Sequence, residues 1–472
     1  MTRNIRFLVL AALPGTLQAQ TFDRTVPPTL APPPSFVSPK VQSTTLPNGI
    51  RIHVVELREV PLVHFALTVA GGSRADGDLA GLAAFTAGML DEGAGSRDAA
   101  AVAAEVAFLG ASLSTGASWD GMAVTLRGPK RTMGSALDLM ADVVRRPTFV
   151  SEETNRQRDL RLAQLVQQKD QPAAVASLTF NEVIFPTTHP YHRSANGDSA
   201  SVARLDSTTV RGFYDRMFRP DRAEFIVTGD ISLAEAQLAI SQRFGDWQAP
   251  AGPVSAVPVV ANPAARPTAI YLKDKPGAAQ SVLAIGAPGP ERSDPDYYAI
   301  QVMNTLLGGS FSSRLNSNLR EAKGYTYGAG SGFAFRPLAG PFIAQAAVRS
   351  NVTDSSLVEF FHEFNRIRDE PVEAEELNRA KAYLALGLAG DFETTGQVAN
   401  QLGGLMTFGL PFNWYDSYVE RIMAVTAADV QRVAQRLIRP DQFSVIVVGD
   451  VASIRPGIAQ LGLGPVTVLP TP

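Results

Sequence analysis

The chain has 472 residues, no cysteine, and 42 basic against 45 acidic side chains, for a formal net charge of −3. Disulfides therefore play no part in its stability, and a chain of this size does not need them. The near-balanced charge, with no run of Lys and Arg, argues against nucleic acid or anionic lipid as a partner.

Arg3 and Arg6 precede the apolar run Phe7-Leu-Val-Leu-Ala-Ala-Leu13 and then Leu17-Gln-Ala19. Residues 1 to 19 thus carry the charge, apolar core and small cleavage residue of a secretory signal peptide, and the run is too short to cross a bilayer. The expected product is exported, periplasmic or secreted, with a mature chain of net charge about −5 (40 basic against 45 acidic) and no membrane span. Residues 20 to 40 form a proline-rich tether, with six prolines in residues 26 to 40, read equally as a wrapping arm or a plain linker.

Strand patterns follow at residues 45 to 56 and 60 to 70, read as a pair. Next comes Gly81-Leu-Ala-Ala-Phe-Thr-Ala-Gly-Met-Leu-Asp-Glu-Gly93, in which Leu82, Phe85 and Met89 recur at helical spacing toward a core while Ala84, Ala87 and Gly88 share another face. That second face carries no chemistry. Asp91 and Glu92 at the helix end read as a solvated acidic pair. Of the five histidines, His53 and His64 fall in strand patterns, and His189 and His192 flank Pro190 in a loop, which is not the i, i+4 arrangement that presents two metal ligands together; His362 stands alone. No Gly-x-Ser-x-Gly elbow appears.

The strongest internal signal is a repeat. Arg219-Pro-Asp-Arg-Ala-Glu-Phe-Ile-Val-Thr-Gly-Asp230 returns as Arg439-Pro-Asp-Gln-Phe-Ser-Val-Ile-Val-Val-Gly-Asp450, 220 residues on, and Glu153-Thr-Asn-Arg156 matches Glu376-Leu-Asn-Arg379. A period of domain size implies duplication rather than a solenoid. The expected layout is an α+β fold of two homologous α/β sandwich domains enclosing a cleft, at residues 41 to 248 and 268 to 460, with a proline-rich linker at 249 to 267 and a tail at 461 to 472. In the second copy, Gly308-Gly-Ser-Phe-Ser-Ser-Arg-Leu315 and Leu319-Arg-Glu-Ala-Lys-Gly-Tyr-Thr-Tyr-Gly328 stand out. The first reads as a glycine-rich loop able to let backbone approach a ligand.

With its flanking glycines, the stretch 81 to 93 resembles the pitrilysin/insulinase-type zinc metallopeptidases, the inverzincins, whose helix carries an inverted H-x-x-E-H motif. In that family two histidines hold zinc and the glutamate acts as general base. Here those positions are Ala84, Ala87 and Gly88, and the third ligand, a glutamate ahead of a segment like Lys169-Asp-Gln-Pro172, matches Gln164. All four chemical groups are lost. The resemblance covers nearly all of residues 41 to 460, with landmarks in order: His189-Pro-Tyr191, Tyr214 with Pro220, and the two Val-x-Gly-Asp strand ends.

The same resemblance assigns substrate binding to Arg320 and Tyr327, with Tyr325 as the second candidate tyrosine, beside Gly308, Gly309 and Ser310. A guanidinium fork and a phenol suit a peptide carbonyl or carboxylate and a developing oxyanion. The family includes two-chain peptidases in which only one chain carries the zinc motif. The resemblance therefore implies a non-catalytic subunit that holds no zinc itself and pairs with a homologous H-x-x-E-H-bearing subunit to cleave extended peptides. Two other readings remain open: a structural or peptide-binding pseudoenzyme, and a self-sufficient peptidase with a relocated metal site.

Overall fold

The computed structural model describes residues 33–250, 252 and 260–470; the expected signal peptide, most of the tether and part of the linker lie outside them. Two six-stranded sheets organise the chain. In the first, β1 (Gln42–Thr45), β2 (Arg51–Glu56), β3 (Leu62–Ala70), β4 (Ser112–Ala117), β5 (Gly121–Pro129) and β6 (Ala223–Gly229) lie in the order β1-β2-β6-β3-β5-β4. In the second, β7 (Ala269–Asp274), β8 (Gln280–Pro288), β9 (Thr326–Phe333), β10 (Pro341–Arg349), β11 (Ser444–Gly449) and β12 (Val466–Leu469) lie in the order β9-β10-β8-β11-β7-β12.

Read from opposite ends, the two orders coincide, with β12 standing where β1 stands. The repeated Arg-Pro-Asp segments do the same local work in both halves: each arginine forks onto the aspartate two residues on, Arg219 to Asp221 at 2.7–2.8 Å and Arg439 to Asp441 at 3.1–3.2 Å. These turns launch β6 and β11.

The sequence pairing of neighbouring strands is corrected here. β2 and β3 do not touch each other: β6 enters between them, parallel to β2 and antiparallel to β3, and β11 does the same between β7 and β8. The closing strand of each half, β6 or β11, takes an inner, almost wholly buried place in its sheet. Residues 466–469, inside the expected tail, form the edge strand beside β7.

Six helices position the candidate sites: α1 (Leu82–Gly88), α2 (Met133–Arg145), α3 (Ser151–Lys169), α4 (Pro172–Ile184), α5 (Ala374–Gly387) and α6 (Thr395–Thr407). Proline at the first position starts α4 with its φ already set, and a capping box of Thr394 and Gln397 starts α6. Each sheet carries its own helices on one face. The other face is covered by a helix of the opposite half. Val175, Ala176, Phe180 and Ile184 of α4 pack on Ala284, Ile446 and Val448 of the second sheet, and Val398, Ala399, Leu402 and Leu405 of α6 pack on Val55, Ala66 and Ile226 of the first. This exchange explains why β3 is buried on both faces and reads as a near-continuous apolar run.

A cleft of about 660 Å³ runs between α3, α4 and residues 187–200, with Lys273 of β7 on its wall. The described end of the tether lies along the second half, where Phe36 packs on Phe392 at 4.8 Å and the Ser38 amide donates to Asp416 at 2.8 Å.

Candidate functional site

α1 begins at Gly81, whose positive φ of 88° and close approach to the Asn196 backbone leave no room for a side chain. Asp76 accepts hydrogen bonds from the Gly81 and Ala83 amides, both at 2.7 Å, so its carboxylate ties down the helix start. Burial pushes the Asp76 carboxyl up to about 7. The helix is buried all round: Leu82, Phe85 and Met89 face the core as expected, but Ala87 joins the same core and Ala84 is buried beside it.

Of the four positions matched to a metal motif, two meet. Gly88 and Gln164 line one small cavity of about 80 Å³, together with Phe85, Met89, Leu160 and Arg161. α3 brings Gln157, Arg161 and Gln164 to this cavity through their i, i+4, i+7 spacing. Ala84 and Ala87 do not line it. Asp91 and Glu92, expected to be solvated, are half-buried ties instead. Asp91 accepts from Thr115 of β4 at 3.2 Å, and Glu92 accepts from Gln157 and from Arg156, the latter at 3.1 Å. Burial raises both carboxyls, Glu92 to about 7 with the neighbouring Glu153 adding to the shift.

In the second half, Arg320 and Tyr327 come together. The Arg320 guanidinium lies 4.5 Å from the Phe311 ring centre and 5.0 Å from that of Tyr327, with a flanking contact to Glu321 at 3.2 Å. Tyr327 is 88% and Phe311 68% exposed, which is unusual for large aromatic side chains. Arg320 sits on a π-helical turn, Ser317–Ala322, a local widening that often marks functional positions. Tyr327 sits where the β9–β10 register shifts between Thr326 and Ala329, on the edge strand of the sheet. Tyr325 is half-buried, its backbone bonded to Leu319 and Arg349, and has no ring contact with Arg320.

The expected glycine-rich loop is corrected. Thr305–Gly309 is a second π-helical turn, and a Cβ on Gly308 would overlap the Ser331 amide of β9, while one on Gly309 would crowd Asn304. These glycines let the helix end lie against its own strand. Ser310 donates to the Thr305 carbonyl at 3.1 Å. Two residues that sequence reasoning did not single out belong to the candidate sites, Phe311 and Arg161. The signal for Phe311 was a large aromatic inside a Gly/Ser segment, and for Arg161 a basic residue three positions before Gln164 on one helix.

The histidines stay apart from both groups. His53, His64 and His189 are each pushed down to about 4, first by burial and then by nearby arginines, and His192 binds the Phe185 carbonyl at 2.9 Å. Among the described residues no group of three or more His, Cys, Asp or Glu could hold a metal ion.

A duplicated α+β scaffold with an exchanged covering helix per half, a helix α1 without metal-binding side chains and an exposed arginine–tyrosine pair is the arrangement expected of a peptidase-type fold. Residues 53–188 match the insulinase family of peptidases (family M16) and residues 204–384 match the M16 inactive domain; the chain belongs to this family. It is 25% identical to an uncharacterized zinc protease of Mycobacterium leprae over 412 residues, 87% of this chain and 92% of that one. It is 23% identical to a probable mitochondrial-processing peptidase subunit beta of Arabidopsis thaliana, over 88% of this chain and 80% of that one. A solved M16 inactive domain from Pseudomonas fluorescens superposes with a TM-score of 0.80 at 28% identity, covering 87% of this chain and 98% of its own, and a Helicobacter pylori protease with 0.81 at 18%, covering 87% and 100%. Zinc, which the family implies, does not fit the residues present. The positions that the resemblance matches to the motif hold two alanines, a glycine and a glutamine, none with a carboxylate or imidazole, and the charged side chain lining the cavity of Gly88 and Gln164 is the Arg161 cation.

Proposed function

We propose that this chain is the non-catalytic subunit of a two-chain zinc metallopeptidase, exported from the cytoplasm, and that it lends Arg320 and Tyr327 to peptide held against a motif-bearing partner. The observation that carries this reading is the Phe311–Arg320–Tyr327 cluster, whose tyrosine stands on the bulged edge strand β9. An edge strand offers unpaired N–H and C=O groups to an extended peptide, and the two aromatic rings flank the guanidinium and restrict its movement. The guanidinium then binds a peptide carbonyl or carboxylate, and the phenol adds a neutral donor. In this reading the partner brings the zinc.

The test is hydrolysis of an internally quenched peptide by the mature chain, alone and co-purified with an H-x-x-E-H homologue, each with zinc or chelator. Activity is expected only in the pair. Arg320→Ala or Tyr327→Phe is expected to lower kcat about 10²-fold, the usual cost of one oxyanion donor, without weakening the pair. Chelator-sensitive hydrolysis by the chain alone would overturn the reading, and a stable pair whose activity ignores both substitutions would leave the chain a structural subunit.

A further inference from the structure

The cavity between α1 and α3 is built around a cation with no counter-charge. Arg161 is half-buried, and its guanidinium donates only to the Asn196 carbonyl and side-chain oxygen, at 3.4 and 3.3 Å. Among the described residues it forms no ion pair, and Glu92, which meets the cavity-lining Gln157, is engaged by Gln157 and Arg156. Burial without an anion lowers its pKa. Taking a guanidinium out of water costs free energy that a bound anion would return, and its planar fork matches the two oxygens of a carboxylate.

The rest of the cavity narrows the ligand. The missing side chain of Gly88 leaves its floor open, since a Cβ there would meet nothing within 4 Å. The volume of about 80 Å³ admits a carboxylate. Leu160 is an exposed apolar side chain at the mouth of the cavity, Phe85 and Met89 lie buried beneath it, and Gln164 brings an amide to the rim. We infer that this cavity is a subsite for the C-terminal carboxylate of a peptide, gripped by Arg161, with the last side chain of the peptide lying outside it against the exposed Leu160. The inference does not rest on the proposed role of Arg320 and Tyr327.

The experiment measures binding, not hydrolysis. Fluorescein-labelled Gly-Ala-Ala-Ala-Leu is titrated with the full mature chain by anisotropy, once with a free C-terminal carboxylate and once as the amide. The free acid is expected to bind at least 10-fold tighter, and this preference is expected to vanish in Arg161→Met and in Gly88→Leu, whose side chain fills the cavity while Arg161 stays. Gly88→Leu also carries the test if Arg161→Met fails to fold. Equal binding of acid and amide by the unsubstituted chain, or a preference that survives in both variants, would overturn the subsite. Arg320→Ala separates the two proposals: if it removes the preference and Arg161→Met does not, the carboxylate is read at Arg320 and the inference fails. Acetate displacing the peptide as well as the unlabelled pentapeptide does would overturn the peptide as ligand.

Discussion

At Gly308 a methyl group would overlap the Ser331 amide, whereas at Gly88 it would meet open space. The two glycines look alike in the sequence but do opposite things. Gly308→Ala must push β9 away from the helix end and is expected to cost about 1–3 kcal/mol of stability, as overpacked sites do. Gly88→Ala adds helix propensity without a clash and is expected to raise stability by about 0.5 kcal/mol. Urea unfolding of the two variants checks both signs, and a neutral Gly308→Ala would mean that the close approach is not required. Neighbour chemistry decides this, which is why the sequence reading assigned Gly308 to a ligand-facing loop. That Ala84, Ala87 and Gly88 carry no metal-binding side chain, by contrast, is plain from residue type alone.

Between elements, the seam of α6 on the first sheet holds a titratable group. His64 of β3 is buried there close to Gly396, and neither ring nitrogen has a hydrogen-bond partner among the described residues. Burial first, and then Arg127, pushes its pKa down to about 4 from the ordinary 6.5. A histidine with a folded pKa below its unfolded value keeps its full contribution above about 6.5, and that contribution is lost as the pH falls from there through 4. Over the whole window this amounts to about 3 kcal/mol. Unfolding free energies at pH 7.5 and pH 4.5 should therefore fall further apart in the unsubstituted chain than in His64→Leu, which cannot titrate. Equal slopes in the two would mean that His64 is solvated and α6 lifts from the sheet. Which helix covers which sheet could not be read from the chain, because α6 follows β3 by more than 300 residues and its apolar face fits any sheet. The repeat itself was legible, since the Arg-Pro-Asp turn and the apolar strand after it are local in sequence.

At the scale of the whole molecule, the exchange of α4 and α6 makes each half incomplete without the other. Removing either helix would expose a sheet face, and the halves are further clamped where the Arg336 guanidinium of the second lies 3.9 Å from the Trp119 ring centre and 4.4 Å from that of Tyr191, both of the first. Tyr191 in turn donates to Asp120 at 3.1 Å, and Arg74 pairs with the same carboxylate at 3.1 Å. A desolvated cation over two aromatic faces contributes about 2 kcal/mol, and truncating Phe180 at the centre of the α4 seam should cost about 3–5 kcal/mol. Both losses belong to an interface between halves. If the halves were independent domains docked together, Phe180→Ala and Arg336→Met would leave two separate transitions at unchanged midpoints. Because each half supplies part of the other's core, we expect one cooperative transition by calorimetry, shifted down as a whole by either substitution, and residues 41–248 expressed alone are expected to lack fixed tertiary packing by near-ultraviolet circular dichroism. A well-folded isolated half would show that α4 and α6 are coverings the sheets can do without.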